Sequence, residues 1–236
     1  FDLDDAWFQC LSAILDKGHA YTITRGSYEG QRRLEFDFVS VRVRKPGHQI
    51  IQIIPEGMSI PAPTDMDYIQ GYLSYLLTGA KTKTEDYTYG ERLVDPKVKI
   101  KQDSDGKELT QEMPLNVNQI EEVIKMYKEN GPGTNQAVME IGMPSDIKLV
   151  DPPCLRLIDT RLRYGKLHFI LYFRSWDLWG GFPSNLGGLQ LVKQYMAEEI
   201  GVADGEIIAV SKGLHLYDYA WDLAKLRTNK NNLVIK

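Results

Sequence analysis

Residues 151–185 read DPPCLRLIDTRLRYGKLHFILYFRSWDLWGGFPSN. Two runs within them, residues 154–164 and 166–175, are dense in aliphatic and aromatic residues and read as strands. Cys154 stands at the start of the first, a position from which a side chain can face a cleft. The second strand is strongly apolar until it ends in Arg174-Ser175. Asp177, two glycines, Pro183 and Asn185 follow. Polar groups gathered where core strands end are the feature from which the rest of the chain is read.

Downstream, residues 184–201 place Leu189, Val192, Tyr195, Met196 and Ile200 at helical spacing, and Gly201 supplies a stop. Residues 205–213 read as another strand, and His215 and Tyr217 share a face if their segment is extended. Upstream, residues 3–17 carry Trp7, Leu11, Ile14 and Leu15 on one helical face, with Cys10 as a packing residue. Residues 32–44 alternate apolar and polar, which predicts one strand. A proline-rich loop (55–65) leads into a helix from Met66 to about Gly79. Residues 95–116 are polar around DSDG and predict an exposed, flexible excursion or a ribbon with a turn at its tip. A helix over 117–130 presents Ile120, Val123, Ile124 and Tyr127, and 135–143 reads as a strand. The pattern predicts a single α+β domain over residues 1–236.

The chain has 236 residues, 43% of them hydrophobic and 25% charged, ordinary values for a globular protein with a sizeable core. A net charge of −4 with four histidines gives no basic field for nucleic acid or an anionic membrane. An anionic substrate must therefore meet a local cluster of arginines. No apolar run reaches the roughly 18 residues of a membrane span. The acidic start FDLDDAWFQC lacks the order of a signal peptide. Two cysteines make a poor disulfide framework, and no Cys/His spacing suggests a metal. A cytoplasmic protein with free thiols is expected.

Taken singly, the polar residues have ordinary readings. Cys154 is a buried filler, Arg174 an ion-pair residue, Asp177 a turn former, Asn185 a helix N-cap and His215 a core histidine. Their joint order carries more. Pro153-Cys154, Arg174-Ser175 twenty residues on, Asp177, Gly181-Phe182-Pro183-Ser184-Asn185 and His215-Leu216-Tyr217 resemble the thymidylate synthase family, most closely its archaeal-type branch. The match covers residues 150–221. It thins upstream to Tyr89-Gly90 and Arg25-Gly26.

The resemblance implies an α+β fold, a central mixed sheet flanked by helices, and a homodimer formed through a sheet face. It implies folate-dependent C5-methylation of a pyrimidine deoxynucleotide monophosphate, dUMP, with methylenetetrahydrofolate or a methanopterin analogue as carbon donor and no metal. Cys154 is then the nucleophile, and Arg174 lies near both the thiol and the phosphate. Ser175 and Arg25 are further phosphate contacts, and Asn185 reads uracil N3–H and O4. His215 and Tyr217 hold the ribose hydroxyl. Asp177, Gly181 and Trp179 meet the folate, and Tyr89 belongs to the proton network at C5. The chain departs from the family pattern at several points. Residues 134–136 (TNQ) replace the arginines that a partner lends to the phosphate, so Arg32 or Arg33 is a candidate substitute. Leu155 replaces a histidine, residues 68–79 offer no clear counterpart of the family glutamate, and the end at NNLVIK lacks a C-terminal extension. Nucleotide hydroxymethylation is the runner-up. A non-catalytic nucleotide-binding relative is the reading from a different class.

Overall fold

The computed structural model describes residues 1–104 and 107–235, with side chains outside 101–110. Helix α1 (Leu3–Lys17) starts where Asp2 accepts the Asp5 N–H at 3.0 Å, satisfying one free donor of the first turn. It buries Leu3, Ala6, Trp7, Leu11, Ile14 and Leu15, the face its spacing predicts. Cys10 packs at the edge of this core, and burial pushes its thiol up to about 12.

Residues 32–44 do not form one strand. After β1 (His19–Thr22), β2 (Arg32–Glu35) belongs to one sheet and β3 (Val39–Val43) to another. Phe36-Asp37-Phe38 carries the crossing, with Phe38 exposed. Period-two alternation continues through a change of sheet, so the pattern cannot mark where one sheet hands over to the next.

Two capped helices come next. Asp65 opens α2 (Met66–Leu76) by accepting the Tyr68 N–H at 2.8 Å, and Thr88 opens α3 (Tyr89–Val94) by accepting the Glu91 N–H at 2.9 Å. The polar excursion is a ribbon of β4 (Lys97–Ser104) and β5 (Lys107–Pro114), paired Lys97 to Pro114 and Ser104 to Lys107. The turn predicted at DSDG falls partly on Asp105 and Gly106, outside the described residues. Helix α4 (Gln119–Asn130) precedes β6 (Val138–Glu140), β7 (Leu155–Arg163), β8 (Lys166–Phe173) and the short β9 (Trp176–Asp177). The chain then runs through α5 (Gly181–Ile200), β10 (Ala203–Ser211), β11 (Leu214–Tyr217) and α6 (Trp221–Arg227). The sequence pattern does not mark β1, β9, α3 or α6. It also starts α5 three residues late, so Asn185 lies inside the helix and is not its N-cap.

The five-stranded mixed sheet has the order β3-β10-β8-β7-β6, with β10 and β8 parallel and the remaining pairs antiparallel. Helix α5 packs on β8 and β10. Leu186, Leu189, Val192 and Met196 of α5 are fully buried, as are Phe169, Leu171, Ile207 and Ala209 of the strands. Truncating one such leucine to alanine costs about 2–5 kcal/mol. The alternate residues Leu157, Ile170, Tyr172, Ile208 and Val210 are only half-buried and share the other face. A four-stranded mixed sheet, β1-β2-β11-β9, stands beside it. Among the described residues no helix is long and apolar enough to cross a membrane.

Two local features place the residues of interest. Helix α2 lies close against α5 because Gly187 and Gly188 carry no side chain there: a Cβ on Gly188 would come within 3.0 Å of the Tyr72 ring. Strand β7 has a bulge between Leu155 and Leu157, with Arg156 as the extra residue. Arg156 Nη1 donates to Asp146 Oδ2 at 3.1 Å, and Arg92 Nη2 donates to Asp146 Oδ1 at 2.8 Å. The Arg156 carbonyl accepts the N–H groups of Ile141 and Gly142 at 3.0 and 2.8 Å.

Candidate active site

A cleft of about 590 Å³ opens where β7, β8, β9 and β11 meet the loop over residues 23–31. Arg25, Cys154, Arg174, Ser175, Asp177, His215 and Tyr217 all line it. Seven of the residues singled out in the sequence thus share one wall system, though 192 positions separate the first from the last.

Cys154 is half-buried and enters the cleft just before β7. Its peptide is held on both sides: the Arg174 N–H donates to the Cys154 carbonyl at 2.8 Å, and the Leu155 N–H donates to the Tyr89 hydroxyl at 3.1 Å. Burial pushes the thiol above its ordinary range. Arg174, then Arg33, pull it down, while Asp151 and Asp177 push it up. The arginine acts in the expected direction, and burial outweighs it. The Arg174 guanidinium is also structural. Its Nε donates to the Pro152 and Pro153 carbonyls, each at 3.1 Å, and its Nη2 donates to Pro152. A positive charge is thereby fixed against the loop that presents the thiol.

His215 is buried, and its Nδ1 lies 2.9 Å from the Gly213 carbonyl, which assigns the Nδ1–H tautomer. Nε2 is then an acceptor, and among the described residues it has no partner. Burial, with the nearby Arg33 and Arg174, drives the imidazole pKa down to about 3, so the ring stays neutral. Asp177 is a turn former as well as a cleft residue. Its carboxylate accepts the N–H groups of Trp179, Gly180 and Gly181 at 3.2, 2.9 and 2.8 Å. Burial still raises its pKa against those three donors.

Not every expected residue lines this cleft. Asn185 and Gly181 line a neighbouring cavity of about 480 Å³ with Tyr68 and Tyr72. Tyr89 lines a groove of about 590 Å³ with Tyr68, Tyr72, Tyr75, Tyr87 and Glu85. Tyr87 is shared between groove and cleft, so the spaces adjoin. Trp179 is buried against Trp7, ring centroids 5.3 Å apart, and lines none of the three spaces. Arg25 is an exposed side chain on the loop, where Ser27 donates to Asp151.

Of the two arginines considered as substitutes, Arg33 lines the cleft, whereas Arg32 lies over the Trp221 ring at 5.1 Å. Pairing of β2 with β11 sets Arg33 opposite Tyr217 and Glu35 opposite His215, and Arg33 Nη2 lies 2.7 Å from Glu35 Oε2. Glu35 and Asp151 are cleft residues that sequence reasoning missed. For Glu35 the signal was the register of a pairing between strands some 180 residues apart, and for Asp151 its place three residues before Cys154. Among the described residues no group of three His, Cys, Asp or Glu gathers as metal ligands.

Residues 81–234 match the family model for thymidylate synthase. A Methanosarcina barkeri protein named "Putative thymidylate synthase" is 31% identical, across 94% of this chain and 90% of that protein. A relative of the same name from Methanothermobacter thermautotrophicus is 24% identical, across 92% and 91%. A Listeria monocytogenes thymidylate synthase is 33% identical over 103 residues, 43% of this chain and 32% of that protein.

Proposed function

Because the chain belongs to the thymidylate synthase family, we propose that it converts dUMP to dTMP by methylation at C5, with Cys154 as covalent nucleophile. The observation that carries this reading is the cleft itself, where a thiol, three arginines and a neutral buried histidine face one space.

C5 of uracil is a poor nucleophile. Addition of the Cys154 thiolate to C6 forms an S–C6 bond and moves the C5=C6 electron pair toward C5 and O4, which activates C5. Burial leaves the thiol mostly protonated at neutral pH, so bound nucleotide must coincide with loss of that proton. Arg174 and Arg33 supply positive potential for the phosphate and for the thiolate, and Arg25 and Ser175 supply further donors. His215 Nε2 accepts a hydrogen bond from a ribose hydroxyl, and Asn185 matches the N3–H and O4 edge. After the carbon is acquired, loss of the C5 proton and expulsion of sulfur restore the double bond. Burial holds the Tyr89 phenol pKa well above its usual range. It relays a proton as O–H and does not act as an anionic base.

Methylenetetrahydrofolate, or a methanopterin analogue, supplies the one-carbon unit and the hydride that completes the methyl group. The groove of Tyr68, Tyr72, Tyr75, Tyr87 and Tyr89 offers flat aromatic faces that fit a pterin and its aryl segment. Two copies pair through the half-buried face carrying Leu157, Ile170, Tyr172, Ile208 and Val210, and the enzyme acts in the cytoplasm.

The test is incubation with C5-tritiated dUMP and methylenetetrahydrofolate, with product identification. Tritium release with dTMP, absent in Cys154→Ala, supports methylation. A 5-hydroxymethyl product replaces it with hydroxymethylation. No release with folate or methanopterin donors, together with undiminished dUMP binding by Cys154→Ala, replaces it with a non-catalytic binding role.

A further inference from the structure

We propose that Tyr21 is a positioning residue: its hydroxyl keeps the Arg33 guanidinium turned toward the nucleotide phosphate and out of a forked pair with Glu35. The inference rests on the proposed function only in taking Arg33 as a phosphate contact.

Strand register builds the arrangement. β1 is the edge strand of its sheet, and Tyr21 pairs with Arg33 across the β1–β2 ladder. Arg33 and Glu35 stand two apart on β2 and so share a face. Arg33 Nε donates to the Tyr21 hydroxyl at 2.6 Å, and Nη2 donates to the same oxygen. Nη2 also lies 2.7 Å from Glu35 Oε2. A guanidinium carries donors only, so the phenol oxygen can do nothing but accept from it. Burial raises the Tyr21 pKa, and the phenol stays O–H. Nε and Nη2 are thus committed on the side of Tyr21 and Glu35. Nη1 has no partner among the described residues, and Arg33 lines the cleft.

Without the phenol, this guanidinium has a stronger option. A carboxylate two residues away on the same face can take Nε and Nη2 together, in a forked and charge-assisted pair. That edge is the one Tyr21 occupies. A fork with Glu35 would spend the charge inside the protein, whereas the single contact at Nη2 leaves Nη1 for a ligand. The charge so held is one the nucleotide meets. Burial dominates at both the Cys154 thiol and the His215 ring, and the Arg33 charge acts on each of them as well.

The experiment is a double-mutant cycle on the parent, Tyr21→Phe, Arg33→Gln and the double variant. It measures dUMP affinity by calorimetry and deoxyuridine affinity by competition against dUMP. Phenylalanine keeps the ring, whose centroid lies 4.9 Å from the guanidinium carbon, and removes only the hydroxyl from an exposed side chain. Arg33→Gln is expected to weaken dUMP binding about 10- to 100-fold, the worth of a charged hydrogen bond, and Tyr21→Phe about 3- to 10-fold, that of an ordinary one. Neither is expected to change deoxyuridine affinity, and Tyr21→Phe should add nothing once Arg33 is gone. Unchanged dUMP affinity in Tyr21→Phe, equal weakening of deoxyuridine, or an undiminished effect in the Arg33→Gln background overturns the inference. Parental dUMP affinity in Arg33→Gln overturns it together with the phosphate role of Arg33. Failure of the proposed reaction alone has a different signature: the expected binding pattern without tritium release.

Discussion

Replacing Gly90 by alanine tests how tightly α3 is set against α2. An ideal Cβ at Gly90 would fall inside 3.0 Å of two backbone oxygens, those of Tyr75 and Thr78, and 3.2 Å from the Tyr75 carbonyl carbon. Backbone at the end of α2 cannot swing aside as a long side chain can, so α3 must move. Overpacking of this kind costs about 1–3 kcal/mol, and immovable neighbours place it at the upper end. Gly71, in α2, is the matched control because an added Cβ there meets nothing within 4 Å. Alanine at Gly71 should gain about 0.8–1 kcal/mol from helix propensity. In a chain of this size each kcal/mol moves the midpoint about 2–4 °C. Gly90→Ala should therefore melt roughly 6–12 °C lower and Gly71→Ala roughly 2–4 °C higher, by differential scanning calorimetry. Surviving Gly90→Ala protein should also show slower tritium release, since α3 carries the Tyr89 hydroxyl that accepts the Leu155 N–H. A Gly90→Ala melting point equal to the parent's would refute the close approach of the two helices.

Burial raises the Cys154 thiol and Arg174 lowers it, so site-resolved alkylation by iodoacetamide should accelerate about tenfold per pH unit from pH 6 upward. Arg174→Gln should displace that profile to higher pH, and a profile unmoved by the substitution counts against the arginine's electrostatic role. Cys10, pushed up to about 12, should label far more slowly over the same range. His215 has a folded pKa of about 3 against 6.5 unfolded. Only the unfolded chain takes the proton between those values, so stability falls as pH drops through that window. The loss is about 1.4 kcal/mol per unit. His215→Asn should flatten urea-derived stability between pH 6 and 4, and an unchanged slope would show the ring already protonated when folded.

Much of this fold was legible because long apolar periods stayed within one element. α1, α4, β7 and β8 lie where their spacing predicts. Errors arose where the period outlasted the element, as at Phe36-Asp37-Phe38, or where turn residues sit inside a helix. Gly181 and Pro183 read as loop, yet proline is tolerated in a first helical turn, where its missing N–H has no intrahelical partner. Short α3 and α6 carry too few residues for a period to show. Cys154, Arg174 and His215 could be placed in one cleft from their order in the chain. Arg33 and Glu35 enter it through strand register, and Asn185 meets the Tyr72 hydroxyl through helix packing. Neither leaves a local trace in the sequence.

The bulge at Arg156 has a consequence in register. With the extra residue, Cys154 stands abreast of Arg174; if the ladder closed up, it would stand abreast of Ser175 on the opposite face. The competing alignment keeps nearly all of the β7–β8 pairing, so the hydrogen bonds of the ladder scarcely distinguish the two. Discrimination falls to the Arg156 carbonyl, doubly engaged by Ile141 and Gly142, and to the Arg92–Asp146–Arg156 chain of charges. Among these, Arg92, Asp146 and Arg156 do not line the cleft. They work as a counting device: they fix how many residues separate the nucleophile from its strand, and losing them would misplace the thiol without altering any group beside it.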